Sequence, residues 1–246
     1  GEDTNYSVTT DSTGSIITVG YTSGAGSTLY DITVSKIHAN GNIMWQKSLD
    51  VIGKSTYGYD VCCDSYNNIY IAGTIGSNIA AIKLSSIGDI VWAREVSGTT
   101  QDGGVGIAVD AQLDVYVSGF TTSAGAGGSD GLVMKLSQSG TLTWVRAFGS
   151  TTGTLTSDSF GQIVVDSRGN MFLTGNTTNT IDGSGSNDTL ICKLPTDGSR
   201  NGVYNTYIYQ PVLLSVTDSV ISSNNGNLTL VPSSLTVLPS TLVQTE

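Results

Sequence analysis

The chain of 246 residues is poor in the side chains that carry most enzyme chemistry. It holds one histidine, His38, and three cysteines, Cys62, Cys63 and Cys192. Three cysteines cannot form a complete disulfide framework, and no CxxC or Cys/His spacing indicates a zinc site. Neighbouring strand residues point to opposite faces, so Cys62 and Cys63 are badly placed to pair with each other. We therefore expect three buried free thiols, no metal site and no cofactor.

Charge is scarce as well, and most of it is negative. Charged side chains make up 12% of the chain, and twenty acidic against ten basic residues leave a net charge of −10. A surface of this sign repels phosphate backbones, so nucleic acid is not an expected partner. Glycine and uncharged serine, threonine and asparagine dominate instead. Such a composition is typical of a surface exposed outside a cell or on a virion.

Long apolar runs are absent. None approaches the roughly 20 residues of a membrane span, so none is predicted. Four prolines against 31 glycines favour short strands joined by flexible turns, and the length suits one large all-β domain followed by a tail. The first residue is Gly1, which favours a processed product or an excised part of a longer protein.

What the sequence does contain is one ten-residue pattern in four copies. Each copy runs from an aspartate to a glycine nine residues later, and successive copies start 53, 46 and 56 residues apart. The copies are DSTGSIITVG (Asp11 to Gly20), DSYNNIYIAG (Asp64 to Gly73), DAQLDVYVSG (Asp110 to Gly119) and DSRGNMFLTG (Asp166 to Gly175). A fixed core with variable connections at this period indicates a repeat architecture.

A second block follows each copy, and in three copies it ends in a tryptophan. The blocks carry Lys36, Lys83, Lys135 and Lys193 at equivalent places, and Trp45, Trp92 and Trp144 each follow a turn glycine by four residues. The fourth copy lacks the tryptophan, and Tyr204 or Tyr207 is its nearest aromatic. A ring at this position is expected to cover the seam between neighbouring repeats and to bury about 200 Å².

Each repeat is predicted to hold four short strands, which makes it one blade of a β-propeller. The predicted architecture is therefore an all-β, four-bladed propeller over residues 1–210, with an extended C-terminal segment over residues 211–246. The predicted blades are residues 1–53, 54–98, 99–150 and 151–210. Two outcomes stay open: a ring that closes by itself, and an arc completed by further sequence or by another chain.

The recurring aspartates are interpreted as caps of tight turns. No Asp-x-Asp-x-Asn-Gly string with a closing glutamate accompanies them, so calcium loops are not expected. His38 falls in a turn where the other copies carry serine or proline, whereas a catalytic triad would need it in a cleft. The chain is therefore predicted not to be an enzyme. The longer connections should all emerge on one face, which suits recognition of a glycan or a protein.

The repeats also resemble a known family. The stretches 106–110 (GIAVD) and 68–74 (NIYIAGT), with the Lys-Leu-Ser-x-x-Gly-x-x-x-Trp string, resemble the SBBP β-propeller repeats of bacterial and phage proteins over about residues 5–200. The junction at residues 193–209 resembles virion structural proteins of marine tailed phages, cyanophages in particular. The resemblance implies a propeller fold and a place in a phage tail or fibre.

The C-terminal segment has a seven-residue period. Apolar residues recur without a break at Leu214, Ile221, Leu228, Leu235 and Leu242. Two prolines and many β-branched residues argue against a coiled coil. We expect an extended segment that packs against copies of itself or, alternatively, against its own propeller.

These expectations combine into two functions. The first is a virion structural or tail-fibre component, located in the virion, that joins other virion proteins or its own copies, with a host-surface glycan as a further candidate partner. The second is a secreted bacterial adhesion or carbohydrate-binding propeller.

Overall fold

A computed structural model describes residues 2–23, 28–125, 128–150, 156–178, 187–204 and 207–225. All of its regular elements are β-strands, in four antiparallel sheets that follow one another around a common axis as the four blades of a β-propeller. The predicted fold class is confirmed.

Blades one to three each have four strands in sequence order, from the inner to the outer edge. Blade one consists of β1 (Asp3–Thr10), β2 (Ile16–Thr22), β3 (Asp31–Ile37) and β4 (Ile43–Asp50). Blade two consists of β5 (Thr56–Cys63), β6 (Ile69–Ile75), β7 (Asn78–Leu84) and β8 (Ile90–Ser97). Blade three consists of β9 (Asp102–Val109), β10 (Val115–Thr121), β11 (Asp130–Leu136) and β12 (Leu142–Ser150).

Blade four differs from this plan. Its described strands are three, β13 (Asp158–Val165), β14 (Asn170–Thr177) and β15 (Asp188–Pro195). The sequence placed a fourth strand in residues up to 210, but β16 (Gly202–Tyr204) and β17 (Tyr207–Pro211) form a hairpin on the outer edge of blade three. Tyr207 nevertheless packs in the seam between blades three and four, where its ring stacks on Phe148 at 4.8 Å.

The last two described strands continue backwards around the propeller. β18 (Ser215–Asp218) pairs with β8 of blade two, and β19 (Ser222–Asn225) pairs with β4 of blade one. This part of the C-terminal segment thus lies on its own blades. The remaining residues, 226–246, with Leu228, Leu235 and Leu242, lie outside the described residues.

The repeated glycine at the end of each ten-residue pattern is required by close backbone approach. The inner strand changes register beside it, as between Asn5 and Ser7 in blade one. An ideal Cβ on Gly20, Gly73, Gly119 or Gly175 would lie 1.8, 1.9, 1.9 or 2.1 Å from a carbonyl oxygen of that strand. Any larger side chain would force the two strands apart.

Three apolar clusters hold the blades together. They join blade one to two, two to three, and three to four, and among the described residues none of them joins blade four to blade one. In the second cluster, Tyr70, Ala72 and Ile79 of blade two face Val117 and Leu132 of blade three, and all five are fully buried. The core therefore consists of seams between blades.

The tryptophans lie at the outer part of these seams, against the turn of the next blade. Trp92 donates from Nε1 to the carbonyl oxygen of Gln138 at 3.0 Å, and an ideal Cβ on Gly140 would lie 2.9 Å from the indole. Trp45 and Trp144 cover Gly88 and Gly198 in the same way. These glycines also have positive φ, so the turn and the ring above it both require glycine.

Candidate binding surface

Five tyrosines from blades one and two meet at the end of the propeller where the longer connections emerge. Tyr6 and Tyr21 lie on the first two strands of blade one, Tyr30 precedes its third strand, and Tyr57 and Tyr59 lie at the start of the inner strand of blade two. We call this group the tyrosine surface. Parts of four of the longer connections, at residues 24–27, 126–127, 151–155 and 179–186, lie outside the described residues.

The rings of the tyrosine surface contact one another at close range. Tyr21 is the centre, with its ring edge-on to Tyr30 and to Tyr57 at centroid distances of 5.1 Å each. Tyr6 lies 5.2 Å from Tyr59, and Tyr57 and Tyr59 are parallel at 6.3 Å. Edge-to-face pairs of this kind contribute about 0.5–1.5 kcal/mol each beyond their buried area. The surface is therefore held in place before any ligand arrives.

Exposure differs sharply within the group. Tyr21 is 9% exposed and anchors the others, whereas Tyr6 is 53% exposed. The side chains of Tyr30, Tyr57 and Tyr59 are half-buried. A fixed aromatic base with exposed rings around it can accept a planar or apolar ligand face without a rearrangement.

Glu2 links two of the hydroxyl groups. Tyr21 donates to its carboxylate at 3.2 Å and Tyr30 donates to it at 3.3 Å. The nearby negative charge of Glu2 raises the pKa of Tyr30, and burial raises the pKa of Tyr59. These phenols remain protonated at neutral pH, so they act as hydrogen-bonding groups rather than as bases.

A cavity of about 330 Å³ opens beside the tyrosine surface, at the seam between blades two and three. Its walls combine the rings of Tyr57, Tyr59 and Phe120 with the polar side chains of Thr74 and Gln101. This volume is at the lower end of the range for small-ligand sites. Aromatic walls with a few hydroxyl and amide groups match a sugar, which has apolar C–H faces and polar edges.

Asp102 also lines the cavity, but it belongs to the scaffold. It is fully buried and accepts hydrogen bonds from the hydroxyl groups of Thr121 and Ser123 and from the backbone amide of Gly98. Its carboxylate thereby fixes the connection from blade two to blade three. It is positioned as a structural cap and not as an acid or a base for chemistry.

A second cleft, also of about 330 Å³, lies on the face of blade one turned away from blade two. Hydroxyl groups of Thr18, Thr33 and Ser35 line it where blade two carries Ile71, Ala80 and Ile82 in its seam. The described residues that line the cleft include no large aromatic ring, so it lacks the stacking element that the tyrosine surface offers.

The four repeat aspartates all have the same geometry, at the opposite end of the blades from the tyrosine surface. Each carboxylate accepts from the backbone amides two and four residues further on, at 2.8–2.9 Å. The residues are Asp11, Asp64, Asp110 and Asp166. Each therefore closes a tight turn, as the sequence predicted, and none contacts the cavity.

The repeated lysines lie above the second strand of each blade. Lys36 forms a buried ion pair with Asp11 at 2.8 Å, while Lys83, Lys135 and Lys193 lie 5.0–5.5 Å above an aromatic ring of their own blade. Lys135 also pairs with Asp114 at 2.7 Å.

The histidine and the cysteines do not line the cavity beside the tyrosine surface. His38 is exposed in its turn. The three cysteines are free and partly buried, and burial raises the pKa of Cys63 to about 12 and that of Cys192 to about 11. The described residues contain no group of three histidine, cysteine or acidic residues that could hold a metal ion. Nor do they include a helix able to cross a membrane.

Comparison with known proteins does not extend this picture. No family model matches the chain, and no curated protein matches it.

The sequence predicted that the longer connections share one face of the propeller, but it did not point to the tyrosines on that face. The sequence signal for this group was weak, because its five tyrosines lie up to 53 residues apart, from Tyr6 to Tyr59. Only the stacking of blade two on blade one brings them together. The alternation of Tyr57 and Tyr59 on one strand was the one local indication.

Proposed function

We propose that this chain is a non-enzymatic structural and binding module whose tyrosine surface recognises a glycan. The observation that supports this most is the combination of rigid aromatic rings with a cavity lined by hydroxyl and amide groups. A sugar ring stacks its C–H face on an aromatic side chain and directs its hydroxyl groups at polar neighbours. The low charge of the chain favours an uncharged ligand over a phosphate-rich one.

The setting that we propose is a phage virion, as a tail or fibre component that contacts the host surface. The support is the resemblance of the four repeats and of the junction after them to virion proteins of marine tailed phages. A rigid propeller that displays a polar face fits such a role, because recognition residues concentrate on connections held by a stable scaffold. In this setting the partners are other virion proteins and a host-surface glycan.

The experiment is binding of the full chain to an array of bacterial surface glycans, followed by calorimetry on the best ligand. Tyr57→Ala and Tyr59→Ala should each weaken binding about tenfold or more, since aromatic anchors dominate such contacts. Tyr66→Ala is the matched control: its side chain is 71% exposed at the opposite end of the same blade. Loss of binding in Tyr66→Ala, or no effect of the first two variants, would refute the proposed surface.

A secreted bacterial carbohydrate-binding propeller is the second candidate, because the same surface would serve it. Mass spectrometry of purified particles separates the two candidates. Repeated copies of the chain in virions support the first, and its recovery from a bacterial culture supernatant free of phage supports the second.

A further inference from the structure

The sheet of blade four exposes large apolar side chains on the side turned away from blade three. Val164, Phe172 and Ile191, one on each of its three strands, are 61%, 37% and 76% exposed. Val164 pairs with Phe172, and Ile191 pairs with Thr174, so all of them lie on one side of the sheet. We call this side the blade-four face. An exposed apolar patch with polar neighbours is typical of an interaction surface.

The same repeat positions already form a sheet-to-sheet contact elsewhere in the molecule. Tyr116 of blade three, the equivalent of Phe172, is fully buried in the seam against blade four. Ser118, the equivalent of Thr174, donates from its hydroxyl group across that seam to the carbonyl oxygen of Gly161 at 2.6 Å. The blade-four face therefore repeats the side-chain pattern with which blade three binds the sheet of its neighbour.

The charge on the blade-four face favours a second copy of this chain as the partner. The whole chain has a net charge of −10, so two copies repel each other over most of their surfaces. The exposed polar residues on this face are the uncharged Thr174, Asn176 and Thr189, with the single cation Lys193 above the ring of Phe172. Because these described side chains include no carboxylate, two copies can approach each other here without acid-to-acid repulsion.

The matching surface on the second copy is its own blade-four face and not its blade one. The corresponding face of blade one lines a cleft with the hydroxyl groups of Thr18, Thr33 and Ser35, and the last two residues are already buried. A head-to-tail contact would set such hydroxyl groups against Phe172 and Ile191, which is unfavourable. Two blade-four faces instead place apolar side chains against apolar side chains, in a contact that closes after two copies.

We infer that two copies of this chain associate through their blade-four faces, packed sheet against sheet across a two-fold axis. Three strands of eight residues each form a face of roughly 26 Å by 14 Å, or about 370 Å² per copy. Stable interfaces bury about 800 Å² per partner. The dimer is therefore a weak one, with a dissociation constant above about 10 µM, and it forms where copies are concentrated.

The test is sedimentation of the full chain at concentrations from about 5 to about 500 µM. The average mass of the unaltered chain should rise toward that of a dimer and stop there. Ile191→Asp should raise the dissociation constant about tenfold or more, because it places a carboxylate inside the contact. Val91→Asp is the matched control, since Val91 is a 53% exposed strand residue on blade two. Both altered side chains are exposed, so the urea midpoints of the two variants should match that of the unaltered chain.

An equal mixture of the unaltered chain and Ile191→Asp tests the two-fold arrangement. Both copies use the same face in that arrangement, so the mixed dimer should be weakened as well. In a head-to-tail arrangement the variant would still bind the unaltered chain through blade one. The inference is overturned by a mixed dimer of full strength, by association beyond two copies, by a monomer at about 500 µM, or by equal dimerisation of Ile191→Asp and Val91→Asp.

Discussion

The seams between blades and the two outer faces, on blades one and four, use the same strand positions but carry different side chains. On blade three, Tyr116 and Val133 face blade four and are fully buried. The equivalent residues of blade four, Phe172 and Ile191, are 37% and 76% exposed. On the corresponding face of blade one, threonine and serine stand where the inner blades carry isoleucine, alanine, valine, leucine or methionine.

The outer faces of blades one and four therefore differ in polarity. Blade one carries hydroxyl side chains on the face turned away from blade two, which makes that face a poor match for an apolar surface. Blade four keeps the aromatic and aliphatic side chains of an inner seam. The tryptophans follow the same division. Gly88, Gly140 and Gly198 lie under an indole, while a Cβ placed on Gly41 of blade one would have no described atom within 4 Å.

The largest expected difference in stability is between removing a large side chain from a seam and removing one from the outer face of blade four. Trp92→Ala should lower the free energy of unfolding by about 3–5 kcal/mol, because it empties a buried site and leaves the carbonyl of Gln138 without its donor. Phe172→Ala at the exposed face should cost less than about 1 kcal/mol. Urea denaturation measures both. Equal losses would mean that the face of blade four is covered in solution.

The turn glycines give a matched pair of smaller effect. Gly41 and Gly140 have φ of 90° and 78°, so alanine at either position costs about 1–2 kcal/mol of backbone strain. At Gly140 the added methyl group also meets the indole of Trp92, which adds about 1–3 kcal/mol. The midpoint of urea denaturation should therefore fall further for Gly140→Ala. A larger fall for Gly41→Ala would show that the turn of blade one is also packed.

Much of the fold of the first three blades was visible in the sequence, because it depends on local spacing. The nine-residue interval from aspartate to glycine and the tryptophan four residues after a turn glycine predicted the strands, the turns and the seam positions of the first three blades. Both features depend on short-range geometry. The turn aspartate accepts hydrogen bonds from the amides two and four residues further on, and the bulge of the inner strand leaves no room for a Cβ on the repeat glycine beside it.

What the sequence did not predict depends on contacts between distant residues. β16 and β17 come after blade four in the sequence, yet β17 pairs with blade three, because a hairpin can add to any open strand edge. The first two heptad residues, Leu214 and Ile221, pack on seams of their own propeller, and a period of seven by itself does not say which edge the chain follows. The tyrosine surface forms only where blade two stacks on blade one.

The last contrast concerns how blade one closes its first turn. In blades two and three the second carboxylate oxygen of the capping aspartate accepts from a tyrosine hydroxyl, whereas in blade one Asp11 pairs with Lys36. Burial alone would raise the pKa of Asp11, but hydrogen bonds from Lys36, Thr13 and Ser15 outweigh it and lower the pKa to about 2. The lowered pKa stabilises the fold above pH 3.8, and this contribution of about 2 kcal/mol is lost as the pH falls from 3.8 to about 2.

Asp11→Asn should therefore flatten the acid limb of the stability curve, measured as the urea midpoint between pH 6 and pH 2. Asp60→Asn is the matched control with the opposite sign. Burial raises the pKa of Asp60, so its contribution is present below pH 3.8 and is lost at higher pH. Replacing it should steepen the acid limb. A steeper limb in Asp11→Asn would mean that the ion pair does not stabilise blade one, and the end of the propeller would then rely on the same uncharged contacts as its seams.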